Sequence, residues 1–137
     1  MTADRMFGYI LPVYFEGLGK SYFEIGLLLS LVALGGFLFD WPLGNLADAT
    51  SRRKMMVTGA ILSIIAASLI FVFKVDWILA ILLLIWGIAY QIWCVPRDAY
   101  IAAYTDKNKR SVEYGLLNEI KDIAETLGPI ICGALFL

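Results

Sequence analysis

The chain has 137 residues, 61% of them hydrophobic and 17% charged, with a formal net charge of -1 and a mean hydropathy of +0.78. So apolar a composition exceeds what a soluble domain of this size can bury, and it places the chain in a lipid bilayer. The sequence contains no His, which removes HExxH metalloproteases and His-based hydrolase chemistry; Cys94 and Cys132 both fall in apolar stretches, so no metal, cofactor or disulfide framework is expected, and no enzyme.

Five apolar runs follow one another. The first, Met6 to Phe15, is short; the others are Ile25 to about Ala47, Met55 to Phe73, Trp77 to about Tyr104, and Glu113 to Leu137. A helix needs roughly 20 apolar residues to cross a hydrocarbon core about 30 Å thick, and the stretches 25–43 and 55–73 hold no charge except Asp40. The connections GLGKSYFE, WPLGNLADATSRRK, KVD and TDKNKRS are short, so sequential helices are antiparallel neighbours. The pattern predicts an all-α, multi-pass transmembrane helix bundle. No cleavable signal pattern is present, because Asp4 and Arg5 precede a very short apolar run with no cleavage site after it.

Basic residues set the orientation. Arg52, Arg53 and Lys54 crowd one loop and Lys107, Lys109 and Arg110 another, whereas the alternate loops carry Lys20 and Lys74. By the positive-inside rule the amino terminus and the loops at 48–54 and 105–112 are cytoplasmic, in a protein of the cell membrane. Charges confined to loops suggest no nucleic-acid partner. Tyr14, Phe15, Tyr22, Phe23 and Trp77 fall at the outer boundary and Tyr100 and Tyr104 at an inner one, where aromatic rings favour the headgroup layer. If Phe15 marks the outer boundary, Arg5 lies roughly 15 Å deeper, near the midplane. The expectation is that Met1 is not the start of the intact protein, or that the chain is a fragment; a small complete protein with an interfacial first segment is the alternative.

Charged residues inside apolar runs are the candidate functional groups. Asn118, Glu119, Lys121, Asp122 and Glu125 share an arc of about 160° on the last helix and can all avoid lipid. With Ser111 as the cap, Asp122 lies about 16 Å and Glu125 about 21 Å into the membrane. Ionised groups at that depth cost several kcal/mol unless they face a partner or a wet cavity. Lys121 and Glu125 can pair, which leaves Glu119 and Asp122 as an acidic surplus. A helix that begins only near Ile123 is the alternative, with these residues on the cytoplasmic surface. Asp40, at the inner rim, is expected to bridge to Arg97 or Arg53, and Arg97 and Asp98 to be interfacial. Ala124, Gly128 and Cys132 form a small-residue row that admits a close helix neighbour, and Pro129 can bend the helix there.

The hinge Gly44-Asn45-Leu46-Ala47-Asp48-Ala49-Thr50-Ser51-Arg52-Arg53-Lys54 carries the decisive resemblance. It is similar to the signature G-x-L-A-D-[RK]-x-G-[RK]-[RK]-[RK] between the second and third helices of the major facilitator superfamily, with Ala49 and Ser51 departing from it. Pro12, Tyr14, Gly19, Ile25-Gly26-Leu27 and Pro42 are also arranged as in that family's first two helices, and the resemblance covers nearly the whole chain. It implies the first part, roughly five helices, of an amino-terminal six-helix half; the remainder of the transporter is then the missing partner. It also implies secondary transport of a small solute by alternating access around a midplane site; a coupling proton on Glu119 or Asp122 is a separate expectation, resting on their depth in the membrane. In such a protein Gly44, Asp48, Arg52 and Arg53 form a conformational latch, and Asp4 and Arg5 line the solute cavity if the intact first helix extends further toward the cytoplasm; mutual neutralisation of Asp4 and Arg5 is the alternative. Asn118, Glu119, Asp122 and Glu125 are candidates for solute or proton contact on their depth and shared arc. The bland reading of Arg52, Arg53 and Lys54 is topological anchoring on anionic headgroups, each contact worth about 1 kcal/mol. Asp48 and Arg52 are four apart in the order that favours an ion pair if the helix continues; Asp48 at the start of the next helix, or paired with Arg97, is the alternative.

The fifth helix partly matches the family's antiporter pattern g-x8-G-x3-G-P-x2-G-G, through Gly115, Gly128, Pro129 and Gly133, with Ala124 and Cys132 in place of glycines. On the fourth helix Leu79 and Gly87 fit L-x-x-x-R-x-x-Q-G, but Leu83 and Trp86 replace the Arg and Gln, which argues against that mechanism. A helical membrane scaffold or complex subunit is the competing function, its polar fifth helix turned to a partner helix.

Overall fold

The structure is a computed structural model that describes the backbone of residues 2–105 and 110–135 and the side chains of 7–105 and of part of 111–130. Five helices follow in order: α1 Thr2–Gly17, α2 Tyr22–Ala49, α3 Arg52–Val72, α4 Asp76–Tyr104 and α5 Arg110–Leu135. The architecture is all-α. α2, α3 and α4 have 28, 21 and 29 residues and are long and apolar enough to cross a membrane. At 1.5 Å per residue they measure about 42, 32 and 44 Å. α1 has 16 residues, more than its apolar run, because the helix takes in polar residues at both ends. α5 starts at Arg110, so Ser111 sits inside its first turn instead of capping it, and the helix passes Ile123 without a break. Glu119 and Asp122 therefore share one helix with the apolar run that follows them.

Two compact units divide the chain, Met1–Ile25 with Thr105–Leu137, and Gly26–Tyr104. In the first, α1 packs on α5, and Leu11 and Phe15, one turn apart, are fully buried. Just beyond the end of α1, Gly19 has a φ of 79°, in the left-handed region that only glycine adopts without strain. The Gly19 N–H donates to Glu16 O (2.9 Å) and the Lys20 N–H to Phe15 O (3.2 Å), the pair of bonds that satisfies a helix's last carbonyls. Ser21 then opens α2 with a reciprocal cap. Its hydroxyl accepts from the Glu24 N–H at 3.3 Å, and the Glu24 carboxylate accepts from the Ser21 N–H at 2.8 Å.

The second unit is built on small residues. Met55, Gly59, Ser63, Ala66 and Ile70 recur every three or four positions and form the buried face of α3, which packs antiparallel on α4. A Cβ at Gly59 would lie 2.7 Å from the Trp93 nitrogen, so backbone meets backbone there. On the other side of α4, a Cβ at Gly87 would strike the carbonyl of Val32 in α2, and one at Gly35 would lie 2.6 Å from Leu84 O. At the hinge end, Leu43 and Ala47 of α2 and Met55 of α3 close a buried cluster against Ile92 and Val95 of α4.

Candidate functional site: the charged hinge and the polar face of α5

α2 ends at Ala49 and α3 begins at Arg52, with Ser51 extended between them (φ −64°, ψ 111°), so the helix does not continue through the hinge. Asp48 is thus in the last turn of α2 and Arg52 opens α3. Their side chains meet across the break at 3.8 Å. Each sits at the unfavourable end of its own helix, the acid at a carboxyl end and the cation at an amino end, and the pair offsets both penalties. Asp48 is 77% exposed, which makes this a weak surface pair of the kind that contributes about 0–1 kcal/mol. Arg52 has a second anchor that the sequence did not disclose: its guanidinium donates to the carbonyl of Ala99 at 3.3 Å, close to the carboxyl end of α4, where a cation is favoured. One arginine therefore joins α2, α3 and α4.

Helical phase separates the three consecutive cations. At 100° per residue Arg52 falls in line with the buried Gly59 and Ser63, whereas Arg53 and Lys54 fall on the opposite, exposed side. Arg53 joins no ion pair among the described residues, so the structure does not bring it to Asp48. Gly44 has open space where a Cβ would be. The expected bridge from Asp40 is not made: Asp40 is exposed, and Arg97 turns to its chain neighbour Asp98 (2.7 Å) and lies 4.8 Å over the Trp93 ring. A bidentate-capable guanidinium beside its own neighbour's carboxylate, with an aromatic face beneath it, has local partners enough.

On α5, Asn118, Glu119 and Asp122 are exposed along one arc, together with Thr126, whose hydroxyl donates to the Asp122 carbonyl at 2.8 Å. Leu116, Ile120, Ile123 and Leu127 occupy the arc beside it and are 48–59% exposed. The helix thus presents a polar and an apolar strip side by side. The side chains of Asp4, Arg5, Lys121, Glu125, Ala124, Gly128, Pro129, Cys132 and Gly133 lie outside the described residues.

Where a charged pattern was looked for on α4, the structure has a packed interior. Leu83 is fully buried and Trp86 nearly so, and the indole Nε1 donates to Ser63 Oγ of α3 at 3.1 Å. The signal for this contact was the Gly59-x-x-x-Ser63 spacing, which marks a close helix pair.

The family model of the Major Facilitator Superfamily matches residues 1–137. The chain belongs to the Major Facilitator Superfamily. This superfamily member is 32% identical over 123 residues to the tetracycline resistance protein, class C, of Escherichia coli, a match that covers 90% of this chain and 30% of that protein. It is 31% identical over 131 residues to the multi-drug resistance efflux pump PmrA homolog of Lactococcus lactis subsp. lactis (strain IL1403), covering 91% of this chain and 32% of that one. The chain spans about a third of the length of these curated relatives. No solved structure matches it. Membership in the superfamily, with three helices long and apolar enough to cross a bilayer, makes this a multi-pass membrane protein.

Proposed function

We propose that the chain forms the first helices of a secondary active transporter of the cell membrane that moves a small solute by alternating access, with the hinge on the cytoplasmic side. The observation that carries this reading is the two-sided α5, in which Asn118, Glu119 and Asp122 stand exposed on a helix whose next strip is apolar. A helix that passes through a bilayer with uncovered acids requires a wet cavity along that side. Asp122, 12 positions after Arg110, lies about 18 Å along the helix, which suits a path near mid-membrane. Asp122 or Glu119, on the uncovered polar arc at that depth, is the residue assigned to couple solute movement to protons. The efflux named for the Lactococcus relative supports outward transport. The Asp48–Arg52 pair is the latch at the cytoplasmic rim, weak enough to open at each cycle.

The test uses the intact transporter in proteoliposomes under an imposed pH gradient. Asp122→Asn is expected to abolish gradient-driven accumulation and to spare counterflow exchange, which needs no net proton movement; Glu119→Gln is measured beside it. Full pH-driven accumulation in Asp122→Asn, together with an Asp122→Cys variant that water-soluble maleimides do not label, sinks the coupling role.

A further inference from the structure

The groove at the amino end of α3 is chemically unlike the rest of the hinge. It is a shallow, open depression of about 480 Å³ lined by Ser51, Arg53, Lys54, Val57 and Thr58, with almost only apolar atoms on its surface and the two charged groups at its rim. Arg53 and Lys54 are exposed and join no ion pair among the described residues, and the first turn of α3 holds no acid to neutralise them. Arg52, by contrast, is turned away and committed to Asp48 and the Ala99 carbonyl. Among the described residues, then, the two cations at this groove have no carboxylate partner.

The groove continues into an apolar strip. Counting 100° per residue from Arg53, Val57, Ile61 and Ile64 fall at about 40°, 80° and 20°, between Arg53 at one edge and Lys54 at about 100°. These three side chains are 52%, 53% and 67% exposed, and no helix of this unit covers them. Two cations at the end of an uncovered aliphatic strip match one kind of molecule: a single negative group joined to a long hydrocarbon chain.

We propose that this groove is a binding site for one anionic phospholipid, its phosphate held between Arg53 and Lys54 with the Ser51 hydroxyl as a further donor, and one acyl chain lying along Val57, Ile61 and Ile64. The site differs from diffuse attraction of basic loops to a charged surface, because it uses two of three adjacent cations and demands the hydrocarbon strip. Free phosphate has no use for that strip. Charge complementarity selects an anionic lipid over a zwitterionic one.

The intact protein is delipidated in mild detergent, offered phosphatidylglycerol or phosphatidylcholine, and examined for retained lipid by native mass spectrometry. We expect phosphatidylglycerol to be retained at least about tenfold better than phosphatidylcholine. Arg53→Gln with Lys54→Gln is expected to lose that preference, Arg53→Lys with Lys54→Arg to keep it, and Lys107→Gln with Lys109→Gln, which removes the same charge from the other basic loop, to keep it. Ile61→Asn should lower retention without any change of charge. Thermal melting in detergent checks that each variant is folded, and the charge-preserving pair serves where the double Gln variant is not. Equal retention of the two lipids, equal loss in both double Gln variants, or full competition by inorganic phosphate overturns the proposal.

Discussion

The indole N–H of Trp86 points into the α3–α4 interface and donates to the hydroxyl of Ser63 at 3.1 Å, in a place where both residues are buried. Ser63→Ala leaves that donor without this partner, a loss of about 1–2 kcal/mol. The check is a double-mutant cycle in denaturant: Trp86→Phe should cost less in the Ser63→Ala background than alone. Additive losses would mean that the hydrogen bond contributes nothing.

Glycines in contact with backbone cannot be enlarged cheaply. Gly59→Ala places a methyl 2.7 Å from the Trp93 nitrogen, and because that neighbour is main chain the helices themselves must part, at about 1–3 kcal/mol. Gly44→Ala and Gly115→Ala meet nothing within 4 Å and should fold as the parent does. Melting temperatures in one detergent separate the three. If Gly44→Ala then fails in transport while folding normally, the glycine is required by a different conformation from this one.

Asp48→Asn is expected to lower transport several-fold at unchanged expression and nearly unchanged melting temperature, since an exposed pair at 3.8 Å contributes under about 1 kcal/mol to the fold. Arg52→Gln removes the anchor to Ala99 as well and should be destabilised further. A variant of Asp48 that transports normally, or that is lost only because it is not made, removes the latch from the mechanism.

Single cysteines report the topology. Ser51→Cys and Asn108→Cys are expected to react only with reagents that enter the cytoplasm, and Lys20→Cys with impermeant reagents from outside. External labelling at position 51 reverses the orientation and takes the proposed inner-rim latch with it.

The apolar runs made the helices readable because transfer of a peptide segment into hydrocarbon depends on local composition, which one stretch of sequence carries in full. Charge placement and the hinge motif made the family readable for the same reason. What escaped was long-range. Arg52 finds the Ala99 carbonyl 47 positions away, a backbone acceptor that has no residue signature. Arg97 was matched to Asp40 by depth, yet the shorter reach to Asp98 prevails. The capping box Ser21-x-x-Glu24 and the row Gly59, Ser63, Ala66 were legible as spacing but take meaning only from what packs on them. For the polar strip of α5, periodicity gave the shared arc, and only the structure shows that α1 leaves Asn118, Glu119 and Asp122 uncovered.

Contact of main chain with main chain at Gly59 and Gly87 has a mechanical meaning. Long side chains between helices act as cushions that take up small displacements by changing rotamer, and at these two points there is none. α2, α3 and α4 can neither slide nor separate there without lifting a whole helix. A displacement at the hinge end of α2 is then carried by rigid main-chain contact, not by the weak pair at Asp48, along a helix about 42 Å long.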